Sequence, residues 1–283
     1  MLVSRHRPRV PLYRLLDGAA LEGLGDFVPE ALYGKLRGAI KAVAVITVLA
    51  SYLALAGLLN LLLAMTPLPR PAVRGLTRVY SRILLKLIGV KIVLRDPQGL
   101  MPKAGSGTLL VANHISYLDA PLMMRVLASV FVTSCDIEET PGLGNLTKAA
   151  GCVFVERRTR MKIRRDIQRV AELLRQGHNV VLFPEGSTSD GMHLLPFKSP
   201  LFKAAVDAQT TILPVCVRYL TNRDQVAWYG DMTFLPHLYQ LMECSEVTVE
   251  VTLLEPVRYH NHGNRKLACA EARDKIGRAY HQP

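Results

Sequence analysis

The chain has 283 residues, 49% of them hydrophobic and 20% charged, and its 35 Lys and Arg against 23 Asp and Glu give a formal net charge of +12. This balance is too charged for a protein built only of membrane helices and too apolar for an ordinary soluble one, so it fits one membrane segment joined to a folded domain. The positive charge suits an anionic membrane surface or an acidic partner, whereas no zinc-ligand spacing, RNP-like strand or basic tail points to nucleic acid, and five scattered cysteines without a Cys-x-x-Cys pair argue against a disulfide framework or metal site.

Residues 1–38 form a basic N-terminal segment that carries Arg5, Arg7, Arg9, Arg14, Lys35 and Arg37. Ala42–Met65 follows, 24 residues without a charge. As a helix it is long enough to cross a hydrocarbon core of about 30 Å. It starts too late and runs too long for a signal peptide, and is read as a retained anchor. Thr66-Pro67-Leu68-Pro69-Arg70-Pro71 cannot continue a helix. Beyond it, Arg74, Arg78, Arg82 and Lys86 make a basic stripe, with Leu76, Val79, Ile83 and Leu87 mainly on the other side. That is the pattern of a helix lying in a membrane interface. Both flanks of the anchor are basic, so flanking charge does not select an orientation. A hairpin dipping into one leaflet, with both ends and the folded domain on the cytoplasmic side, satisfies both flanks. The expected division is a basic segment (1–38), an anchor with its interfacial helix (39–89) and a folded domain (90–283).

From Val90 onward, short apolar runs alternate with amphipathic stretches. Strands are predicted at Lys91–Leu94, Thr108–Ala112, Val130–Thr133, Cys152–Val155, Val180–Phe183, Thr211–Val217 and Val247–Leu253. Helices are predicted at Leu118–Ala128, Met161–Gln176, Pro200–Ala208 and Arg265–Tyr280. In the second of these, Ile163, Ile167, Val170 and Leu174 form an apolar stripe between charges. The alternation implies an α/β fold, a mostly parallel sheet covered by helices.

Three polar clusters come just after predicted strands: Asn113-His114-Ile115-Ser116-Tyr117-Leu118-Asp119, Glu156-Arg157, and Pro184-Glu185-Gly186-Ser187-Thr188. Ligands of open α/β sheets bind beyond the carboxyl ends of the strands. If the three strands are parallel neighbours, the clusters converge there. His114 and Asp119 stand five residues apart across a strand-to-helix turn. A carboxylate at that spacing can hold one imidazole nitrogen and leave the other to take a proton from a hydroxyl. The pair alone also reads as a turn histidine beside an aspartate that favours a helix N-terminus.

Taken in order, Asn-His-x-Ser-x-x-Asp, Gly-x-x-Phe-Val-x-Arg, Phe-Pro-Glu-Gly and the apolar-Pro-apolar run Ile212-Leu213-Pro214-Val215 resemble the lysophosphatidic acid acyltransferase family over about Val90–Val217. The resemblance implies acyl transfer from acyl-CoA or acyl carrier protein to a lysolipid hydroxyl, with no cofactor and no metal. It implies His114 as general base and Asp119 as its orienting partner. It places Asn113, Ser116, Arg157, Glu185, Gly186, Ser187, Thr188 and Pro214 in substrate binding. No acyl-enzyme is implied, so Ser116 is read as a turn residue.

The third motif departs from the family's usual Phe-Pro-Glu-Gly-Thr-Arg-Ser, because Thr188 stands in the arginine's place. Loss of a bidentate phosphate partner points away from a phosphate monoester. 1-Acylglycerol-3-phosphate is the family's default acceptor. Lyso-ornithine lipid, the substrate of a bacterial branch, is the alternative, and a phospholipid transacylase or a non-catalytic lipid-binding protein are further ones. The basic run Arg157, Arg158, Arg160, Lys162, Arg164, Arg165 and Arg169 suits coenzyme A phosphates, acyl carrier protein or anionic lipid equally.

Overall fold

The computed structural model describes residues 30–64, 71–127, 129–140, 142–156, 160–257 and 264–282. The basic cluster at Arg5–Arg14, the proline-rich break at 66–70, and Arg157 and Arg158 therefore lie outside the described residues.

Two long helices come first, α1 (Glu30–Ala64) and α2 (Pro71–Ile88). Helix α1 begins inside the basic N-terminal segment, before the expected anchor, and runs through the apolar stretch as far as Ala64. Tyr52 Oη lies 3.0 Å from Thr77 Oγ1, and Lys41 Nζ donates to Ile88 O at 3.1 Å, so the two helices run antiparallel. Gly34–Leu62 is long and apolar enough to cross a membrane, and only 17% of its most apolar window is buried. Val43, Ile46, Leu58 and Leu61 point outward at 53–66% exposure, which no soluble core helix does.

The domain that follows holds β1 (Val90–Arg95), β2 (Leu109–Ala112), α3 (Asp119–Val126), β3 (Val130–Ser134), α4 (Cys135–Glu139), α5 (Leu143–Ala149), β4 (Val153–Val155) and α6 (Arg160–Arg175). It continues with β5 (Val180–Leu182), α7 (Phe202–Ala208), β6 (Ile212–Tyr219), α8 (Arg223–Val226), α9 (Phe234–Glu243), β7 (Val247–Leu253) and α10 (Arg265–His281). All seven predicted strands are present. Helices α4, α5, α8 and α9 were not expected.

The sheet order is β1-β7-β6-β2-β5-β3-β4. Strands β2 to β6 are mutually parallel, and β7 turns antiparallel against β6, carrying β1 with it. All four residues of β2 are buried, as a central strand covered on both faces requires. Its side chains alternate between two cores. Leu110 and Ala112 face α1, α2, α3 and α9, whereas Leu109 and Val111 face α6, α7 and α10.

The order corrects one expectation. Strands β2 and β5 are neighbours, but β4 sits at the sheet's edge with β3 between it and β5. All three point the same way, so the His114 and Glu185 clusters meet directly. Glu156, at the end of β4, stands two strands beyond β5.

Candidate active site

The site begins where β2 ends. Asn113, 1% exposed, spends its amide on the backbone of β6: Nδ2 donates to Val217 O and Val217 N donates to Oδ1, both at 2.8 Å. This clamp fastens the turn to the neighbouring strand. His114 and Asp119 then meet, with Nδ1 2.8 Å from Oδ2. Asp119 opens α3 and is fully buried. Its Oδ2 also accepts from Ile115 N at 2.7 Å and Ser116 N at 3.0 Å, so the carboxylate ties the turn together as well as holding the imidazole. Backbone amides at a helix start are good partners for a carboxylate.

The His114 ring stacks on Phe183 at a centroid separation of 4.1 Å and an interplanar angle of 12°. Its side chain is 20% exposed. With Nδ1 on Asp119, Nε2 has no protein partner among the described residues. A buried acceptor on Nδ1 favours the tautomer whose Nε2 carries a free lone pair, the form a general base needs.

Glu185 is joined to the same turn. Its Oε1 accepts from His114 N at 2.9 Å and its Oε2 from Leu195 N at 3.0 Å. Burial pushes its carboxyl up to about 7, against the two backbone hydrogen bonds that favour the anion. Gly186 follows with φ +78°, a left-handed conformation that suits glycine. The chain then folds back, and Ser189 donates to His114 O through both N (3.0 Å) and Oγ (3.2 Å). Tyr280 of α10 donates to Gly191 O from the other side.

Several residues expected to bind substrate serve the framework. Asn113 is engaged as described. Ser116 is buried, and its Oγ accepts from Leu118 N at 3.3 Å. Pro214 is buried within β6, paired with Val111 of β2. Ser187 is exposed and Thr188 half-buried in the loop after Gly186. Arg157 lies outside the described residues.

An apolar cavity opens beside the turn. Val45 and Tyr52 of α1, Leu84 of α2, Met124 of α3 and Phe234 of α9 line it, with Tyr117 from the turn itself. Phe131, which also lines it, lies 6.4 Å from Phe183, the ring beneath His114. Tyr117 hydrogen-bonds His237 Nδ1 at 3.0 Å, and His237 Nε2 donates to Ala227 O at 3.0 Å. Burial lowers His237 from its ordinary value, which keeps this inner pair neutral.

Two residues escaped sequence reading. Phe183 is the stacking platform, and Tyr219 donates to Asp119 Oδ1 at 2.7 Å. Phe183 immediately precedes the Pro-Glu-Gly motif, a position that offered a clue. Tyr219 lies 100 residues from Asp119, with no local pattern to flag it.

Comparison with known proteins agrees with this geometry. A family model described as Acyltransferase matches residues 91–218. A 1-acyl-sn-glycerol-3-phosphate acyltransferase of Neisseria gonorrhoeae is 37% identical over 153 residues, 53% of this chain and 60% of that one. The chain thus spans well under two thirds of that relative's length. A lyso-ornithine lipid O-acyltransferase of Rhodobacter capsulatus is 30% identical over 266 residues, 88% of this chain and 92% of that one. The crystal structure of the 1-acyl-sn-glycerophosphate acyltransferase of Thermotoga maritima superposes with a TM-score of 0.62 over 88% of this chain and 99% of that one, and at 18% identity it speaks for the fold alone.

Fold and site together define the class, an α/β protein with a histidine–aspartate pair at the carboxyl edge of a mostly parallel sheet. The chain belongs to the acyltransferase family.

Proposed function

We propose that this protein transfers a fatty acyl chain from acyl-CoA or acyl carrier protein to the free hydroxyl of 1-acylglycerol-3-phosphate. The observation that carries this reading is the His114–Asp119 hydrogen bond, which leaves Nε2 without a partner among the described residues, on a turn whose Tyr117 lines an apolar cavity. His114 Nε2 takes the proton of the acceptor hydroxyl as its oxygen attacks the thioester carbonyl. The tetrahedral intermediate collapses, the carbon–sulfur bond breaks, and the imidazolium returns the proton to the leaving thiolate. Asp119 stabilises the imidazolium between these steps. Arg157 is kept as the head-group contact, and the loop of Gly186, Ser187 and Thr188 as the acceptor's surroundings.

A second acceptor, lyso-ornithine lipid, is favoured by Thr188 in the family's arginine position. The extent of similarity to the Rhodobacter capsulatus protein supports it too. Helix α1 and the returning α2 support membrane attachment as a hairpin entered from one side, with the folded domain facing the cytoplasm and residues 90–283 as the acyltransferase domain.

The test supplies detergent-purified protein with labelled acyl-CoA or acyl carrier protein, and offers 1-acylglycerol-3-phosphate, lyso-ornithine lipid and lysophosphatidylcholine separately. Phosphatidic acid formed by the wild type and lost in His114→Ala supports the reading. Product from lyso-ornithine lipid alone replaces the acceptor and keeps the mechanism. Turnover of phospholipid donors without a thioester would favour a transacylase, and lysolipid binding with no transfer from any donor a binding protein.

A further inference from the structure

Asp119 is saturated with donors, and one of them comes from far away. Its Oδ2 serves the turn through Ile115 N, Ser116 N and His114 Nδ1. Its Oδ1 accepts from the Tyr219 hydroxyl at 2.7 Å. The carboxylate is fully buried and Tyr219 is 7% exposed, so water offers Oδ1 little substitute. Burial and the neighbouring carboxylate push the Tyr219 phenol well above its ordinary value, so it stays protonated and donates.

Tyr219 stands just beyond the Asn113 clamp on β6. Asn113 grips both backbone groups of Val217, and Tyr219 lies two residues further along β6, its side chain on the same face. The turn carrying His114 is thus pinned to β6 twice, by its first residue through Val217 and by its last through Tyr219. The phenol does not hold β6 in the sheet. The backbone of β6 pairs with β2 and β7, and Tyr219 itself lies opposite Val249.

We infer that Tyr219 is a positioning residue for acyl transfer, fixing the Asp119 carboxylate in the plane that orients His114 Nε2 toward the acceptor hydroxyl. This rests on His114 acting as the base. A carboxylate held only through Oδ2 can pivot about the turn, and the imidazole pivots with it. A displacement of about 1 Å at a reacting group can cost on the order of 10²-fold in rate.

The test is Tyr219→Phe, which keeps the ring and removes one oxygen. It is measured as full-length protein in mixed micelles, well below its own melting temperature, so that folded enzymes are compared. The expected result is a fall in kcat of roughly 10- to 100-fold with KM for acceptor and donor within about 2-fold. In a His114→Ala background the same change is expected to cost less than about 2-fold, because a residue acting through His114 has nothing left to position. Unchanged kcat in Tyr219→Phe, or an equal loss in both backgrounds, would overturn the inference. Full activity in His114→Ala would instead overturn the base assignment beneath it, so the two failures are told apart.

Discussion

The two faces of the sheet are built to different ends. On one face α6, α7 and α10 close tightly: Ala204, Ala205, Ala268 and Ala272 are fully buried, and small side chains let the helices approach the strands. On the other face α1, α2, α3 and α9 cover the same strands but leave an apolar cavity between them, while α1 turns Val43, Ile46 and Leu61 outward. One face stores stability and the other keeps apolar room open. The His114 turn sits at the edge between them, held through Glu185 to the loop under α10 and through Tyr117 to the cavity wall. The acyl transfer proposed above would use both a rigid turn and an apolar space, and the sheet separates the two.

Substitutions on the two sides should therefore separate activity from stability. The largest effect on turnover away from the histidine is expected from Asp119→Asn, which removes the charge that stabilises the imidazolium and replaces one accepting oxygen with an NH2 donor. Its kcat should fall by roughly 10²–10⁴-fold, the ordinary worth of a working general base. An acyl-transfer assay within 10-fold of wild type would break the link between turn and chemistry.

Phe202→Ala empties a fully buried site on the tight face. It should cost about 3–5 kcal/mol of stability in urea unfolding, with kcat of the remaining folded enzyme within about 2-fold of wild type. On the cavity face, Cys152→Phe adds bulk to a lining residue. It should shift preference toward donors shorter by several carbons, read from relative kcat/KM across a series of acyl chains, with a stability loss of about 1–3 kcal/mol. A uniform loss for every chain length would mean that the acyl group lies elsewhere.

A further effect, read against pH, belongs to Glu185. Burial raises its folded pKa from 4.5 to about 7, so the folded chain binds a proton over that interval that the unfolded chain has released. Its contribution to stability is then full below about pH 4.5 and is lost as pH rises through about 7. Glu185→Gln should flatten that part of the stability–pH curve, measured by urea unfolding across the interval.

Much of this was legible in the sequence, for identifiable reasons. Buried parallel strands such as Leu109–Ala112 and Val180–Leu182 appear as apolar runs between turns, and all seven were read. The five-residue α4 and seven-residue α5 are too short to show periodicity. Helix α9 does carry a stripe, Leu238, Leu241 and Met242, but Pro236 near its start hid it although the first turn of a helix tolerates proline. Strand order was not legible, because strands buried on both faces look alike, so whether β4 neighbours β5 stayed a condition until the sheet order was seen. At the site, His114 and Asp119 are close in sequence and could be paired by spacing. Tyr219 and Phe183 reach the same pair only through the sheet. Asn113 was read as a substrate contact because a polar residue at a strand end has no visible partner until β6 is placed beside it.

The central claim is that His114 is the base that activates the lysolipid hydroxyl. The most direct measurement is single-turnover acyl transfer from labelled acyl-CoA or acyl carrier protein to 1-acylglycerol-3-phosphate and to lyso-ornithine lipid, by wild type and His114→Ala, with vesicle binding and melting temperature recorded for both. The account predicts a loss of roughly 10²–10⁴-fold in the variant with binding and melting unchanged. A variant that transfers acyl chains at the wild-type rate would contradict it.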